Sequence, residues 1–289
     1  MAEVKAIVER RSDVLATLRD DALEKRELID ELGVSRSTVD RAIEELVSVD
    51  LVSVECGRYR TTLAGRICLE RFQAYVTELE ETVAAQAVLE PLPKDCALPI
   101  DAVAGSERIV SAGAAAYRPL ERLSQTMGSA TALSVLLGRL PDARLFRRWY
   151  DHVVVDENVV HAVVSEPLFE ALQTDFPRRL AAMEATDQFS LRVGPTPPYG
   201  LVVTAGSAGP AVTIVVFEAD GGVHGLLEND RLAARHWATW VLAEYGPVKP
   251  PRTDGVEQAD RVDAVGWVPT DRWPAAAGAD RSLDSYRAR

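Results

Sequence analysis

The stretch from Glu24 to Val49, EKRELIDELGVSRSTVDRAIEELVSV, constrains this chain more than any other, because its breaks and its periodicity agree on one backbone path. Leu28, Ile29 and Leu32 fall on one face of a first helix, and Gly33 follows where a helix end takes a left-handed residue. Ser35 then stands at an N-cap position. Val39, Ala42, Ile43, Leu46 and Val47 recur at helical spacing and define the buried stripe of a second helix. Val34 and Val39 occupy the two positions of a hydrophobic staple, which fixes the angle at which the chain enters that helix. Two short helices joined in this way form a helix-turn-helix, with Arg36, Ser37, Asp40 and Arg41 left facing outward.

A helix laid in the major groove brings its first turns against base edges, where Arg pairs with guanine and Ser or Thr bonds to bases or phosphate. Ser35, Arg36, Ser37, Thr38 and Arg41 are therefore the candidate contacts to double-stranded DNA. Asp40 fits a spacer or an arginine partner, and Glu44 and Glu45 lie far enough along to tilt away. The competing reading is an ordinary antiparallel helix pair with a polar face.

The flanking sequence supports the first reading. Val4 to Arg19 repeats Val4, Ile7, Val8, Val14, Leu15 and Leu18 at the 3.6 period, which predicts a bracing helix. After the second helix, Leu51–Glu55 and Tyr59–Thr62 are short β-like runs around Cys56-Gly57-Arg58, a hairpin signal. Helix-turn-helix plus hairpin predicts a winged helix, with Arg58 at the tip and Arg60 beside it reaching flanking phosphates or the minor groove. An exposed hairpin with incidental arginines is the alternative.

Composition argues in the other direction. There are 44 acidic residues against 32 basic ones, the net charge is −12, and Lys5, Lys25, Lys94 and Lys249 are the only lysines. Phosphate neutralisation supplies much of DNA affinity, so an acidic chain opposes it. Acidic, lysine-poor, alanine- and valine-rich chains resemble proteins of extreme halophiles. At ~1 M salt the Debye length falls to ~3 Å, so long-range repulsion is screened and local contacts decide binding. The alternative is an acidic protein that binds no DNA. The amphipathic, charged N-terminus is no signal peptide, no transmembrane run is visible, and Cys56, Cys68 and Cys96 show no paired spacing. These features predict a cytoplasmic protein with no membrane partner.

The run LGVSRSTVDRAIEELVSVDLV followed by GRYRTTLAGR resembles the winged helix of archaeal transcription regulators, particularly the haloarchaeal ones that join it to a methanogenesis-regulator-type (Fil-type) sensor domain. The closing pattern around Gly221-Gly222, followed by HGLLENDRLAARHWATWVLAEY, is similar to the end of that sensor domain. The resemblance implies regulation rather than catalysis. Such winged helices also serve as protein-interaction modules.

The expected organisation is α+β or α/β in four parts: a winged helix-turn-helix over 1–64, a linker and dimerisation helix over 65–94, a mixed-sheet α/β sensor or effector domain over 95–246, and a mostly disordered acidic tail over 247–289. Residues 63–89 predict one helix of about 27 residues, roughly 40 Å long. Phe72, Val76, Leu79 and Val83 step by four, three and four and form a coiled-coil-like seam, which predicts a homodimer. Packing on the chain's own effector domain is the other possibility for this seam. Pro91, Pro93 and Pro99 end the helix. Strands are expected at 132–137, 159–164, 189–193, 201–204, 212–217 and 223–227, and helices at 141–150, 166–185 and 230–245. In the tail, Trp267 and Trp273 fit anchors on the body or on a partner.

Catalytic motifs are missing. Phospholipase D-like nucleases pair His-x-Lys with Asp, but Leu226 stands two residues after His224, and Asp230 has no lysine nearby. His152, His161, His224 and His236 show no HExxH pattern, and Ser111, Ser165 and Ser207 lie outside any G-x-S-x-G elbow, so no metal site and no cofactor are expected. The TAGSAG run at 204–209 precedes a strand, which fits a hairpin turn rather than a phosphate loop. His224, Asn229, Arg231 and Trp237 are candidates for a small-molecule effector pocket, against a plain core or surface role for each. The sequence thus favours a DNA-binding regulator over a non-catalytic interaction protein, with a phosphodiesterase third.

Overall fold

The computed structural model describes residues 2–206 and 209–245, so the expected tail with Trp267 and Trp273 lies outside the described residues. The chain divides into two compact units at Glu80/Glu81. The first contains α1 (Ala2–Thr17), β1 (Leu23–Glu24), α2 (Lys25–Leu32), α3 (Arg36–Ser48), β2 (Val52–Glu55), β3 (Arg58–Thr61) and the start of α4 (Leu63–Ala84). Its core gathers Ile7, Val14 and Leu15 of α1 and Leu18 just beyond its end, Leu28 of α2, and Val39, Ala42, Ile43 and Leu46 of α3 under Val52 and Leu69. This is the stripe read from periodicity, and burying it holds the three helices together. The strand order is β1-β3-β2, all antiparallel. Cys56 (φ 52°) and Gly57 (φ 79°) form the hairpin turn, and two successive positive φ values match the strand twist of a two-residue hairpin.

Helix α4 leaves the hairpin under a tight constraint. A Cβ on Gly65 would collide with the Leu51 carbonyl oxygen and the Thr61 side chain. The expected unbroken helix over 63–89 instead ends at Ala84, and α5 (Gln86–Leu89) follows. At Ala85 one amide is shared between the Glu81 and Thr82 carbonyls, which tightens the turn.

The second unit continues with α6 (Ile100–Val103), β4 (Glu107–Val110), α7 (Arg118–Gly128), β5 (Ala132–Leu137), α8 (Ala143–Tyr150), β6 (Val159–Val164), α9 (Glu166–Asp175), α10 (Pro177–Glu184), β7 (Phe189–Val193), β8 (Gly200–Ala205), β9 (Ala211–Phe217), β10 (Val223–Asn229) and α11 (Leu232–Tyr245). Its seven strands run in the order β4-β10-β9-β8-β5-β6-β7. β5, β6 and β7 are parallel, and the remaining pairs are antiparallel. One face packs on α7 to α10 through Val135, Phe146, Trp149, Leu172 and Val202. The other packs on α5, α6 and α11 through Val88, Val103, Leu136, Leu201, Trp237 and Val241. Burial on both faces is why the central strands read as near-continuous apolar runs. The expected helix over 166–185 is two helices, because Pro177 has no amide to continue the first and starts the second. Among the described residues no helix is long and apolar enough to cross a membrane.

Candidate nucleic-acid interface

Helix α3 is built outward from its cap. Ser35 Oγ accepts from the Thr38 amide at 3.2 Å and lies 3.0 Å from Ser37 Oγ and 2.8 Å from Thr38 Oγ1. Three hydroxyls therefore cluster at the N-terminal end of the helix, where four amides lack intrahelical partners. Arg36, Ser37, Thr38 and Arg41 are exposed, while Val39 and Ala42 are buried. Arg36 is 78% exposed and lies 4.0 Å from Asp40, which is engaged by Lys25 Nζ at 2.6 Å. The hydrogen bond to Asp40 raises the Lys25 pKa. Arg41 makes no ion pair among the described residues.

The acidic half of α3 has a structural partner. Arg11 grips Glu45 with Nε at 3.0 Å and Nη2 at 3.3 Å, and Arg10 adds a third contact at 3.4 Å. Arg11 also has the non-helical torsions that kink α1. The Arg11 hydrogen bond, reinforced by Arg10, holds the Glu45 carboxyl below its usual range despite the opposing effect of burial. Glu45 thus clamps α3 to α1.

The wing differs from expectation at Arg58. This residue is not at the tip, which Cys56 and Gly57 occupy, but at the start of β3 opposite Glu24. Its Nε donates to the Ala22 carbonyl at 2.9 Å, and its guanidinium pairs with Glu24 at 3.5 Å and Glu27 at 3.3 Å. Arg58 therefore ties the wing to α2. Arg60 is exposed and makes no ion pair among the described residues.

The expected seam on α4 is divided. Phe72 packs against the core of the first unit, Val76 is half-buried, and Leu79 and Val83 are 48% and 62% exposed. Ile67 and Tyr75, 51% and 50% exposed, extend the row of Leu79 at four-residue steps and were missed by the sequence reading.

Among the described residues, the four candidate effector residues are held in separate surroundings. His224 sets Nδ1 2.6 Å from Glu218 and Nε2 2.7 Å from the Ala87 carbonyl. Asn229 is buried, donating to the Ala104 carbonyl at 2.9 Å and accepting from the Arg231 amide at 3.0 Å. Arg231 lies 3.7 Å from Glu81, and Trp237 is core, its ring 6.1 Å from that of Tyr199. Of the four, only Asn229 borders a cavity of about 520 Å³, whose polar wall includes Glu107, Arg122, Thr126, Thr204 and Glu228. Both oxygens of Glu228 are held there, by Arg122 Nε at 2.8 Å and Thr126 Oγ1 at 2.8 Å. Among the described residues no group of three or more His, Cys, Asp or Glu is placed to hold a metal ion.

Two families match this chain. The HVO_A0261 N-terminal domain matches residues 2–84, and the middle domain of the methanogenesis regulatory protein FilR1 matches residues 116–246. The chain belongs to the archaeal regulators with a Fil-type domain. No curated protein matches it. Solved structures similar to this regulator include TrmBL2, an archaeal chromatin protein with a novel mode of DNA binding, at 11% identity and TM-score 0.36, covering 84% of this chain and 94% of that one. A riboflavin-analogue dimethyltransferase, RosA of Streptomyces davawensis, gives 12% identity and TM-score 0.22 over 67% and 64% of the two chains. The methyltransferase SibL gives 14% and 0.22 over 66% and 60%. The two domain families make the chain a transcription regulator.

Proposed function

We propose that this regulator reads double-stranded DNA as a dimer through α3, under control of its second unit. The observation that carries the reading is the division of α3 into two faces. One buries Val39, Ala42, Ile43 and Leu46, and the other presents Arg36, Ser37 and Arg41 from a Ser35-capped end. A helix anchored on one side and armed with guanidinium and hydroxyl groups on the other suits the major groove. Arg60 contributes a phosphate contact from the wing. Arg58 acts through the wing's attachment to α2. The exposed row Ile67, Tyr75, Leu79 and Val83 supplies the dimer contact, which spaces two α3 helices for successive half-sites. The 520 Å³ cavity, which has the size of an ordinary ligand pocket, is the place for a small polar effector.

Residues 1–80 contain 17 acidic and 12 basic side chains, so the reading unit itself is acidic and its few outward arginines must act locally. Molar salt suits this arrangement by screening the remainder. The test is selection of random duplexes by the full-length chain in molar salt. Enrichment of a two-fold symmetric motif with half-sites about 10 base pairs apart is expected. Absence of any enriched motif, with the protein folded and dimeric, turns the reading toward an interaction module that grips other proteins.

A further inference from the structure

After α8 the chain makes one π-helical turn, Asp151–Val155. Such turns occur mostly as single irregularities and frequently at functional positions. Together with the end of α7 the turn encloses a cavity of about 60 Å³ whose wall includes Gly128, Arg148, Trp149, Asp151, His152 and Asp156. Trp149 and His152 are 1% and 4% exposed, and neither the indole Nε1 nor the imidazole Nε2 has a hydrogen-bond partner among the described residues. Buried polar atoms are rarely left so, and here two from different side chains share one enclosure. The indole N–H can only donate. His152 Nδ1 lies 3.9 Å from the Asp156 carboxylate, beyond hydrogen-bond distance, and Nε2 is left without a protein partner beside the cavity. Arg148 lies over the mouth, with Nη1 3.1 Å from the point a Gly128 Cβ would occupy.

We propose that this cavity binds a small monovalent anion of three or four heavy atoms, such as formate or nitrate, held by the Trp149 indole N–H, the protonated His152 ring and the Arg148 guanidinium. The volume is that of about two waters at roughly 30 Å³ each, which suits an anion of three or four heavy atoms. The site is separate from the 520 Å³ cavity and from everything assigned above.

Proton and anion enter together. Burial lowers the His152 pKa, against the opposing effects of Asp156 and the Ala130 carbonyl, so near neutrality the ring carries no charge to hold an anion. In that state water fits, accepting from Trp149 and pairing with His152. When the ring takes a proton from solvent, both buried groups are donors and an anion fits instead. Of the charged side chains on the surrounding elements, Arg148, Asp151 and Asp156 line the cavity, whereas Arg178, Arg179 and Glu184 of α10 and the neighbouring Glu157 do not. With the ring protonated, the two cations balance the two carboxylates before the anion arrives. One proton bound per anion makes the apparent Kd rise about tenfold per pH unit above the ring's pKa.

The test is a titration of the full-length chain with sodium formate, and separately sodium nitrate, at ionic strength held by sodium sulfate, between about pH 5.5 and 7.5. The indole N–H resonance of Trp149, assigned by its loss in Trp149→Phe, should shift and saturate with either anion, and Kd should rise with pH as stated. Arg148→Gln changes only an exposed side chain, so it should retain the fold and weaken binding at least about tenfold. A Trp149 indole resonance unmoved by both anions across the pH range, in a folded protein, overturns the site and leaves water as its occupant. A saturating shift with no pH dependence overturns the role given to His152.

Discussion

At the scale of single residues, the arginines of the first unit divide by whether their hydrogen bonds are already used. Arg36 and Arg41 retain free guanidinium edges, whereas Arg58 spends its donors on Ala22, Glu24 and Glu27. Arg36→Ala and Arg41→Ala should each cost roughly 1–3 kcal/mol on the operator and relax preference at one base pair, measured as the operator-to-scrambled ratio by fluorescence anisotropy. Arg58→Ala should leave that ratio unchanged and lower stability by no more than about 1 kcal/mol, since its ion pairs are exposed. An unchanged ratio in the Arg36 and Arg41 variants, with the fold intact, removes α3 as the reading head. His224 gives a prediction of a different kind. Burial alone would lower its pKa, but the Ala87 carbonyl, Glu218 and Glu90 together raise it. A raised folded-state pKa means the ring stabilises the fold most below its unfolded pKa, about 6.5, and loses that contribution as pH rises through the folded value. The stability gap between wild type and His224→Gln in denaturant titrations should therefore be largest at about pH 6 and shrink above neutrality. A gap that grows with pH would contradict the assigned hydrogen bonds.

At the scale of elements, α4 carries two separable jobs. Its first turn is pressed against the wing, so Gly65→Ala forces a methyl into the Leu51 carbonyl and Thr61, and should destabilise the first unit by about 1–3 kcal/mol or more. Its later turns expose Tyr75, Leu79 and Val83, so Leu79→Asp with Val83→Asp should give a folded monomer in light scattering, with weaker operator binding. A double variant that stays dimeric places the contact elsewhere. Which elements the sequence disclosed follows from how locally each is specified. α3 was legible because its cap, staple and apolar stripe lie within 15 consecutive residues, 34–48. The inner strands β5, β6, β8 and β9 were legible because burial on both faces demands near-continuous apolar residues, Val and Leu above all. β4 was not, since it is an edge strand with Glu107 and Arg108 exposed. β1 is two residues long and exists only by pairing with Tyr59 and Arg58. The same reason hid the site's internal bonds. Arg58 meets partners 31 to 36 residues away, and Glu45 is gripped from 34 and 35 residues upstream, separations at which no periodicity operates. The scattering of His224, Asn229, Arg231 and Trp237 has the same origin: neighbours along one strand and helix, they serve different packing surfaces.

At the scale of the whole molecule, the net charge of −12 and the few free arginines bound how the regulator can respond to salt. If Arg36, Arg41 and Arg60 are the phosphate and base contacts, a dimer presents six, and the slope of log K against log salt should be no steeper than about −5. A slope near −10 would mean phosphate contacts beyond these six. Control by an effector obeys a stricter rule. A ligand in the second unit can change operator affinity only if it binds the two conformations unequally, because equal affinity shifts no equilibrium however tight the binding. Reciprocity then requires the operator to change the ligand's affinity by the same factor that the ligand changes the operator's. The 520 Å³ cavity is the natural place to look, and Arg122→Ala, which frees Glu228 from its strongest partner, should alter ligand affinity while leaving α3 untouched. Thermal-shift screening of polar metabolites at molar salt identifies the ligand, and calorimetry with and without operator measures both factors. A compound that alters operator affinity fivefold must have its own Kd altered fivefold by operator. Equal ligand affinity in the two titrations removes that compound as an effector, and the same result for every compound that binds leaves the second unit as an assembly device rather than a sensor.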